Sequence, residues 1–434
     1  MIASLAAPWR APQCSALGWR DHLLTMVFGT WLLVGLFVDG WAHTNLETLE
    51  TFFTPWHALV YSGFGASAAW VAYCVQRAGG VPRGYASAMI GIAVFGAGGV
   101  GDLIWHTLFG IERGVEALLS PTHLVLFAGL VLILASPFQA AWSASADAPA
   151  DAPSFRAFLP ALLSLTLLTG LCLFFLMYLT PFNTFDALSQ RDAYIASLPE
   201  ARIAANYRDL SVRAGLAGLY LTTAVLLAPL LLVLRRWRPP FGTATLLFGV
   251  TTLLVSALEE FRLAPLVIAA AAAGLLADGL IRWLRPGPAR VGAYSLFAAL
   301  VPVALWGAYF ATVSVVWGTW WTVNLVGGAI GISSLIGLGL AALTVADRRN
   351  DHTGRCVEAT PDPETAVVLT SARRTTAPGQ RTGPVAQLDR ILGQWSAQEI
   401  GRLTGAEARG VTLLRRCARR CTPASATWAH ITGS

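Results

Sequence analysis

Acidic and imidazole side chains recur at one spacing in two stretches of the chain. The first stretch carries Asp-x-x-x-His at Asp39 and His43, and the second carries it at Asp102 and His106. Because side chains four residues apart lie on one face of a helix, each pair can point toward the same neighbour. Carboxylate and imidazole bind transition metals, and they also relay protons. The spacing therefore indicates two similar sites for one of these chemistries.

A second His follows in each stretch, close behind a Pro. The sequence TPWH ends at His57, and the sequence SPTH ends at His123. Thr and Ser are good N-caps, and Pro is favoured at the first helical position. The pattern predicts that a helix begins at each Pro and carries the His in its first turn. A Gly then follows at the same spacing in both stretches, at Gly63 and Gly129.

Each stretch thus supplies one carboxylate and two imidazoles, and two packed stretches would converge on one site. Imidazole with carboxylate suits a transition metal ion such as Cu, Zn or Fe, and this choice of ligands leaves the metal open. The predicted metal ligands are Asp39, His43, His57, Asp102, His106 and His123. Four further carboxylates are predicted to contact these ligands or to form an acidic entrance, at Glu47, Glu50, Glu112 and Glu116.

Two other interpretations of the same groups stay open. Ionisable side chains inside membrane segments also mark ion and proton pathways, so a cation- or proton-coupled transporter is the first alternative. The second is a membrane scaffold subunit, in which repeated Asp and His side chains tie helices together and other membrane subunits are the partners. The metal interpretation makes the chain a redox protein if the ion is Cu or Fe, so the sequence does not decide whether it is an enzyme.

One resemblance to a known family rests on the first stretch. Asp39 and His43 followed by His57 resemble the Asp-x-x-x-His…His copper site in a membrane subunit of particulate methane and ammonia monooxygenases. The second stretch is similar but matches less closely, at Asp102, His106 and His123. The resemblance covers three residues in each stretch and implies copper as one of the metals that the site could bind.

The elements that must position these groups are membrane helices. The 434 residues are 55% hydrophobic and only 12% charged, whereas soluble domains carry about 25% charged residues. Long apolar runs recur, which predicts an all-α polytopic membrane helix bundle of about ten transmembrane helices with a duplicated hairpin in its N-terminal half. The predicted spans lie near 22–43, 56–76, 85–108, 122–142, 156–180, 212–235, 241–259, 263–284, 290–316 and 322–346.

Arg residues predict the orientation, since cytoplasmic loops collect positive charge and the chain has no Lys. With ten spans they fall on one side, which places both termini in the cytoplasm and the two stretches at the outer face of the cell membrane. The net charge of +6 follows from this orientation and a basic tail, so membrane lipid and not nucleic acid is the expected partner. The residues that carry the asymmetry are Arg10, Arg20, Arg77, Arg83, Arg235, Arg236, Arg238, Arg282, Arg285, Arg290, Arg348 and Arg349.

Composition divides the chain into four parts. Residues 1–21 form a predicted cytoplasmic lead, and 22–142 form a four-helix membrane unit made of the two repeated hairpins. Residues 143–349 form a six-helix membrane unit, with 181–211 as an outer segment that is either an interfacial helical lid or a solvated loop. Residues 350–434 are rich in Arg, Thr, Pro and Gly, which predicts a disordered basic cytoplasmic tail.

Two polar features of the second half have simple predicted roles. Asp278 lies four residues before Arg282, which predicts an i,i+4 ion pair on one helix. Trp317, Trp320 and Trp321 cluster at the predicted outer turn between the last two spans, where an interfacial aromatic belt is expected.

Overall fold

The chain folds as an all-α polytopic membrane helix bundle, as predicted. The structure is a computed structural model that describes residues 17–46, 52–110, 112, 114–144 and 153–358, with side chains described up to residue 345. Within these ranges there are helices, turns and two isolated β-bridges, and no β-strand. Most of the predicted lead 1–21 and most of the predicted tail 350–434 lie outside the described residues.

Thirteen α-helices follow one another along the described residues. They are α1 (Trp19–Asn45), α2 (Pro55–Ala78), α3 (Ala86–Phe109), α4 (Val115–Leu119), α5 (Pro121–Leu134), α6 (Ser136–Ala144), α7 (Phe155–Phe175), α8 (Ser189–Ala196), α9 (Ala201–Leu234), α10 (Thr243–Ser256), α11 (Ala264–Leu284), α12 (Val291–Val316) and α13 (Val323–Glu358).

In the described part of the chain, nine helices are long and apolar enough to cross a membrane. The helices α5 and α6 together make one of these spans, Pro121–Ala144, in which Pro137 lacks the N–H that would continue the hydrogen-bond ladder. The predicted span 241–259 is shorter than the others. It forms α10 and a 3-10 turn, and its apolar helical stretch is Thr243–Glu259.

Helix α7 is the centre of the bundle. It packs against α1, α5, α6, α9 and α10. Of its most apolar stretch of 18 residues, 72% is buried inside the protein. Ser164 on this helix donates a hydrogen bond to the backbone carbonyl of Leu134 on α5. Helix α7 therefore joins the predicted four-helix unit to the helices that follow it, and the end of α1 adds a direct hydrogen bond from Asn45 to the carbonyl of Leu258.

The first four spans pack as two hairpins, α1 with α2 and α3 with α5. The two Gly residues that follow the repeated His residues lie where the paired helices touch. A Cβ on Gly63 would be 2.7 Å from Cα of Leu32, and a Cβ on Gly129 would be 2.6 Å from the backbone N of Phe95. In both hairpins the backbones approach so closely that a side chain cannot fit between them.

The predicted ion pair between Asp278 and Arg282 is wrong. The Asp278 carboxylate, which is 1% exposed, instead accepts hydrogen bonds from the backbone N–H groups of Ala244 and Thr245, both at 3.0 Å, and from the Thr245 hydroxyl at 2.7 Å. The Arg282 guanidinium lies over the Phe241 ring. Asp278 therefore caps the first turn of α10 from the neighbouring helix α11, where the helix dipole favours a negative charge.

The outer segment 181–211 contains turns, the short helix α8 and the first residues of α9, which begins well before the predicted span 212–235. Asp186 within it is buried and forms an ion pair of 3.1 Å with Arg191. Burial raises the pKa of Asp186 above its ordinary value, and Arg191 opposes that rise. The segment is therefore folded onto the bundle in this region.

The Trp residues between α12 and α13 hold this outer segment, so they do more than line a membrane interface. Trp320 donates its indole N–H to the backbone carbonyl of Asp186 at 2.7 Å, and the Thr319 hydroxyl donates to the carbonyl of Ala187 at 2.7 Å. Trp321 is 5% exposed and packs in the core. At the turn where the aromatic belt is predicted, Trp320 and Trp321 therefore make tertiary contacts.

Replacing Gly63 by Ala should destabilise the first hairpin, because the new methyl group would meet the backbone of Leu32. Overpacking of this kind costs about 1–3 kcal/mol. The measurement is the unfolding midpoint of the purified protein in detergent.

The matched control is Gly65→Ala on the same helix, where an added Cβ would meet no atom within 4 Å. Equal midpoints for the two variants would contradict the close approach of α1 and α2.

Candidate metal centre

The helix starts that position His57 and His123 form as the sequence predicts. Helix α2 begins at Pro55 and helix α5 begins at Pro121. The hydroxyl of Thr54 accepts a hydrogen bond from the backbone N–H of His57 at 3.1 Å, and that of Ser120 accepts one from His123 at 3.4 Å. Each His is thereby fixed in the first turn of its helix, with its side chain directed toward the preceding helix of the hairpin.

In the first hairpin one carboxylate faces two imidazoles. Asp39 and His43 lie one turn apart near the end of α1, and Oδ2 of Asp39 is 3.8 Å from Nε2 of His43. The same oxygen is 3.6 Å from Nε2 of His57 on α2. Asp39 and His57 are buried, with 9% and 6% exposure. The three side chains therefore form a compact group that is almost closed to solvent.

The second hairpin has the same arrangement. Oδ1 of Asp102 is 3.4 Å from Nε2 of His106 on the same helix and 3.3 Å from Nε2 of His123 on α5. The hydroxyl of Thr122 also donates a hydrogen bond of 2.9 Å to this oxygen. Asp102 is 1% exposed and His106 is 6% exposed, so this half of the site is buried at least as deeply as the first.

The two groups meet, and the structure brings all six predicted ligands into one cluster. The ring centroids of His57 and His106, one from each hairpin, are 6.1 Å apart. The ring of Phe52 stacks on His57 at 4.8 Å and lies 6.2 Å from His106. Below them Tyr61 packs against Gly99 of α3 and reaches the Asp102 carboxylate. We call Asp39, His43, His57, Asp102, His106 and His123 the His/Asp cluster.

Two sets of three side chains within this cluster could hold a metal ion. One set is Asp39, His43 and His57, and the other is His57, Asp102 and His106. In each set one potential ligand atom per residue lies within 4.8 Å of the other two. His57 belongs to both sets, and His123 belongs to neither although it faces Asp102.

Hydrogen bonds on the far side of three imidazoles decide which ring nitrogen carries the proton. Nδ1 of His57 is 2.6 Å from the backbone carbonyl of Phe52, and Nδ1 of His106 is 3.1 Å from that of Gly110. Nδ1 of His123 contacts the carbonyl of Ala117. A carbonyl oxygen only accepts, so the network assigns the proton to Nδ1 in each ring. In the neutral rings Nε2 is then an unprotonated nitrogen that faces a carboxylate.

Several polar atoms at the centre of the cluster are buried without a hydrogen-bond partner among the described residues. They are Oδ1 of Asp39, Nδ1 of His43, Nε2 of His106 and Oε2 of Glu112. Buried polar atoms in folded proteins almost always have a partner, and an ion or a water molecule is a common explanation where protein groups supply none. The donor set and these orphaned atoms together fit a bound cation.

The four predicted outer carboxylates have different positions. Glu112 lies beside the cluster, where Oε2 is 3.4 Å from Nδ1 of His106 and Oε1 accepts from the indole of Trp105. Glu116 is exposed on the short helix α4. Glu47 and Glu50 lie outside the described residues. Of the two that the structure describes, Glu112 is therefore the one placed to orient an imidazole of the cluster.

Some residues that contact the His/Asp cluster cannot be predicted from the sequence. Phe52, which precedes α2, and Tyr61, one turn after His57, pack against the imidazoles, but an aromatic residue close to a His is common in a membrane segment. Tyr178 follows α7 and lines the cavity below the cluster; burial raises its pKa and a hydrogen bond with Thr44 opposes the rise. Only Thr122 has a positional signal, because it lies inside the SPTH sequence.

Comparisons with known proteins add no relative: no protein-family model matches the chain, and neither a curated protein nor a solved structure does.

Thr122→Val should destabilise the second hairpin, because it removes the hydroxyl that donates to the buried Asp102 carboxylate while keeping the shape of the side chain. A hydrogen bond to a charged group contributes about 1.5–3 kcal/mol. Thermal unfolding in detergent measures the change.

The control is Thr107→Val on α3, where the exposed hydroxyl donates only to its own helix backbone at Leu103. If Thr107→Val lowers the unfolding midpoint as much as Thr122→Val does, the contact with Asp102 does not stabilise the fold.

Proposed function

We propose that this chain is a membrane metalloprotein that binds a transition metal ion in the His/Asp cluster, at the outer face of the cell membrane. The observation that carries the proposal is the way Nε2 atoms face carboxylate oxygens. Two hydrogen-bond acceptors repel one another unless a cation lies between them, and three imidazoles of the cluster have their protons on the opposite nitrogen. A metal ion would supply that cation.

The distances between the facing atoms support a metal over a shared proton. The Nε2 to carboxylate distances are 3.3 Å for His123, 3.4 Å for His106 and 3.6 Å for His57. A hydrogen bond between an imidazolium and a carboxylate is shorter, about 2.7–2.9 Å. Two ligands that each lie about 2.0–2.2 Å from a tetrahedral ion are roughly 3.3–3.6 Å apart. The spacing matches ligands around an ion.

The donors also limit which metals fit. Imidazole and carboxylate suit Cu, Zn, Fe and their neighbours, and neither set of three includes a thiolate. Copper is one member of this group, in keeping with the resemblance noted for Asp39, His43 and His57. Zn would polarise a bound group without redox chemistry, whereas Cu or Fe would add electron transfer.

Glu112 and the backbone carbonyls that face Nδ1 complete the environment of the ion. A metal-binding His commonly donates its other N–H to a carbonyl or carboxylate, which fixes the ring and raises the basicity of the ligating nitrogen. Phe52, Gly110 and Ala117 supply such carbonyls to His57, His106 and His123. The protein thus holds three ligands in the orientation that binding requires.

His57 should be the decisive ligand, because it belongs to both sets of three. Its Nδ1 is already hydrogen-bonded to Phe52, so its Nε2 can bind only one ion at a time. We therefore expect one tightly bound ion per chain, and we expect His57→Ala to remove it. Each protein is reconstituted with Cu, Zn and Fe in turn and dialysed. Mass spectrometry then gives the number of ions bound per chain in the wild-type protein and in His57→Ala.

The matched control for this experiment is His22→Ala. His22 lies on the same helix as His43 but near its other end, where Nδ1 contacts the Tyr85 hydroxyl at 3.0 Å. The His22→Ala variant should keep the metal content of the wild-type protein. The proposal fails if the wild-type protein retains none of the three metals, and the proton or cation transporter or the scaffold subunit then becomes the better explanation.

The proposed orientation has its own test. With the cluster at the outer face and both termini in the cytoplasm, a Cys introduced at Asn45, which is exposed at the end of α1, should react with a membrane-impermeant maleimide in intact cells. Reaction only after the membrane is permeabilised would place the cluster on the cytoplasmic side.

A further inference from the structure

A cavity lies directly below the His/Asp cluster, inside the first four spans and α7. Its polar wall includes Asp39, His43, His57, Asp102 and His123, and the hydroxyl-bearing residues Thr44, Tyr61 and Tyr178 also line it. Its apolar wall includes Leu32, Leu36, Leu126, Leu130, Phe174 and Phe175. The cavity is therefore polar at the end next to the His/Asp cluster and apolar along the rest of its length.

The helix geometry gives the cavity an elongated shape. Asp39 and Leu32 both line it from α1, and seven residues of α-helix span about 10 Å. His123 and Leu130 line it from α5 over the same seven residues. The apolar part therefore extends about 10 Å from the cluster toward the middle of the bundle.

Water is a poor occupant of this space. The cavity volume is about 80 Å³, several times the roughly 10–15 Å³ needed to hold one water molecule. A water molecule needs two to four polar partners, which the leucine and phenylalanine walls do not offer. An apolar chain that enters from the bilayer would lose no hydrogen bonds and would fill the space.

We propose that the cavity binds a medium-chain aliphatic alcohol or a closely similar single-headed neutral amphiphile. The chain would lie between α1, α5 and α7, and the hydroxyl would lie at the His/Asp cluster. This proposal rests on the proposed metal site in one respect, since the hydroxyl oxygen would take an open position on the ion.

The head group follows from the charges at the polar end. The carboxylates of Asp39 and Asp102 already balance the two charges of a divalent ion, so a carboxylate head would add an uncompensated negative charge to a buried site. An uncharged hydroxyl can donate one hydrogen bond and still offer lone pairs. Oδ1 of Asp39 is buried without a partner among the described residues and could accept that hydrogen bond.

The test uses octanol that carries a photoreactive diazirine near the end of its chain. After irradiation of the purified, metal-loaded protein, mass spectrometry should find the label on the α1, α5 and α7 peptides that line the cavity. An excess of unmodified octanol should suppress labelling at least tenfold, and octanoate should not. Labelling spread evenly over the lipid-facing helices, or equal competition by octanoate, would overturn the proposal.

Substitutions inside and outside the cavity test where octanol binds. Leu36→Trp fills the cavity from α1 at a position outside the six proposed metal ligands, so it should lose the suppressible labelling while keeping the metal content of the wild-type protein. Leu24→Trp on the same helix is the control, because Leu24 is 39% exposed and lies away from the cavity. If Leu36→Trp folds poorly, Leu36→Phe is used, and unchanged labelling in a folded variant overturns the proposal.

The same experiment separates this inference from the metal proposal. The labelling is repeated on metal-free wild-type protein. If octanol still suppresses labelling in the cavity, alcohol binding is supported with Asp39 as the partner of the hydroxyl, even if no metal is ever retained. Protein that retains one ion but shows no suppressible labelling would keep the metal site and reject the alcohol.

Discussion

A carboxylate buried among apolar helices needs a partner for its charge, and the rest of the first four spans is arranged around this need. Burying an ionised group without compensation costs several kcal/mol, so Asp39 and Asp102 would each destabilise the bundle if they stood alone. Each instead faces two imidazoles, and three of these rings present the nitrogen without a proton. The cluster therefore holds unprotonated nitrogens against carboxylate oxygens, and this is the repulsion that the proposed cation would relieve.

The close helix packing serves the same cluster. Gly63 and Gly129 let the two helices of each hairpin touch, which brings the first turn of α2 and of α5 within reach of the Asp on the preceding span. Between the two hairpins Gly99 on α3 has the corresponding role, because the ring of Tyr61 on α2 packs directly against it. Small residues at these contacts fix the distances between ligands that come from four different helices. The ligand positions thus depend on backbone contacts that lie one or two turns away from the site.

Much of this arrangement can be predicted from the sequence, for simple physical reasons. Apolar runs define the spans, a Thr-Pro or Ser-Pro start defines the first turn, and Asp-x-x-x-His places two side chains on one helix face. The structure confirms the starts of α2 and α5 at Pro55 and Pro121.

Contacts between distant parts of the chain were not predictable in this way. Asp278 was expected to pair with Arg282 because only local spacing was available, yet its partners are backbone N–H groups at Ala244 and Thr245. The sharing of His57 by both sets of ligands also depends on how the hairpins pack. No periodicity in the sequence encodes the angle between two hairpins, so the sequence indicated two similar groups but not their common member.

The turn between α12 and α13 has a consequence for how the protein is made. Its Trp320 and Thr319 bind the backbone at Asp186 and Ala187, across separations of 134 and 132 residues. While the ribosome is still producing α10 to α12, the outer segment has been synthesised but Trp320 and Thr319 have not. During this interval the segment lacks these two hydrogen bonds. The hydrogen bonds to Asp186 and Ala187 can therefore form only after α12 and the turn that follows it have been synthesised.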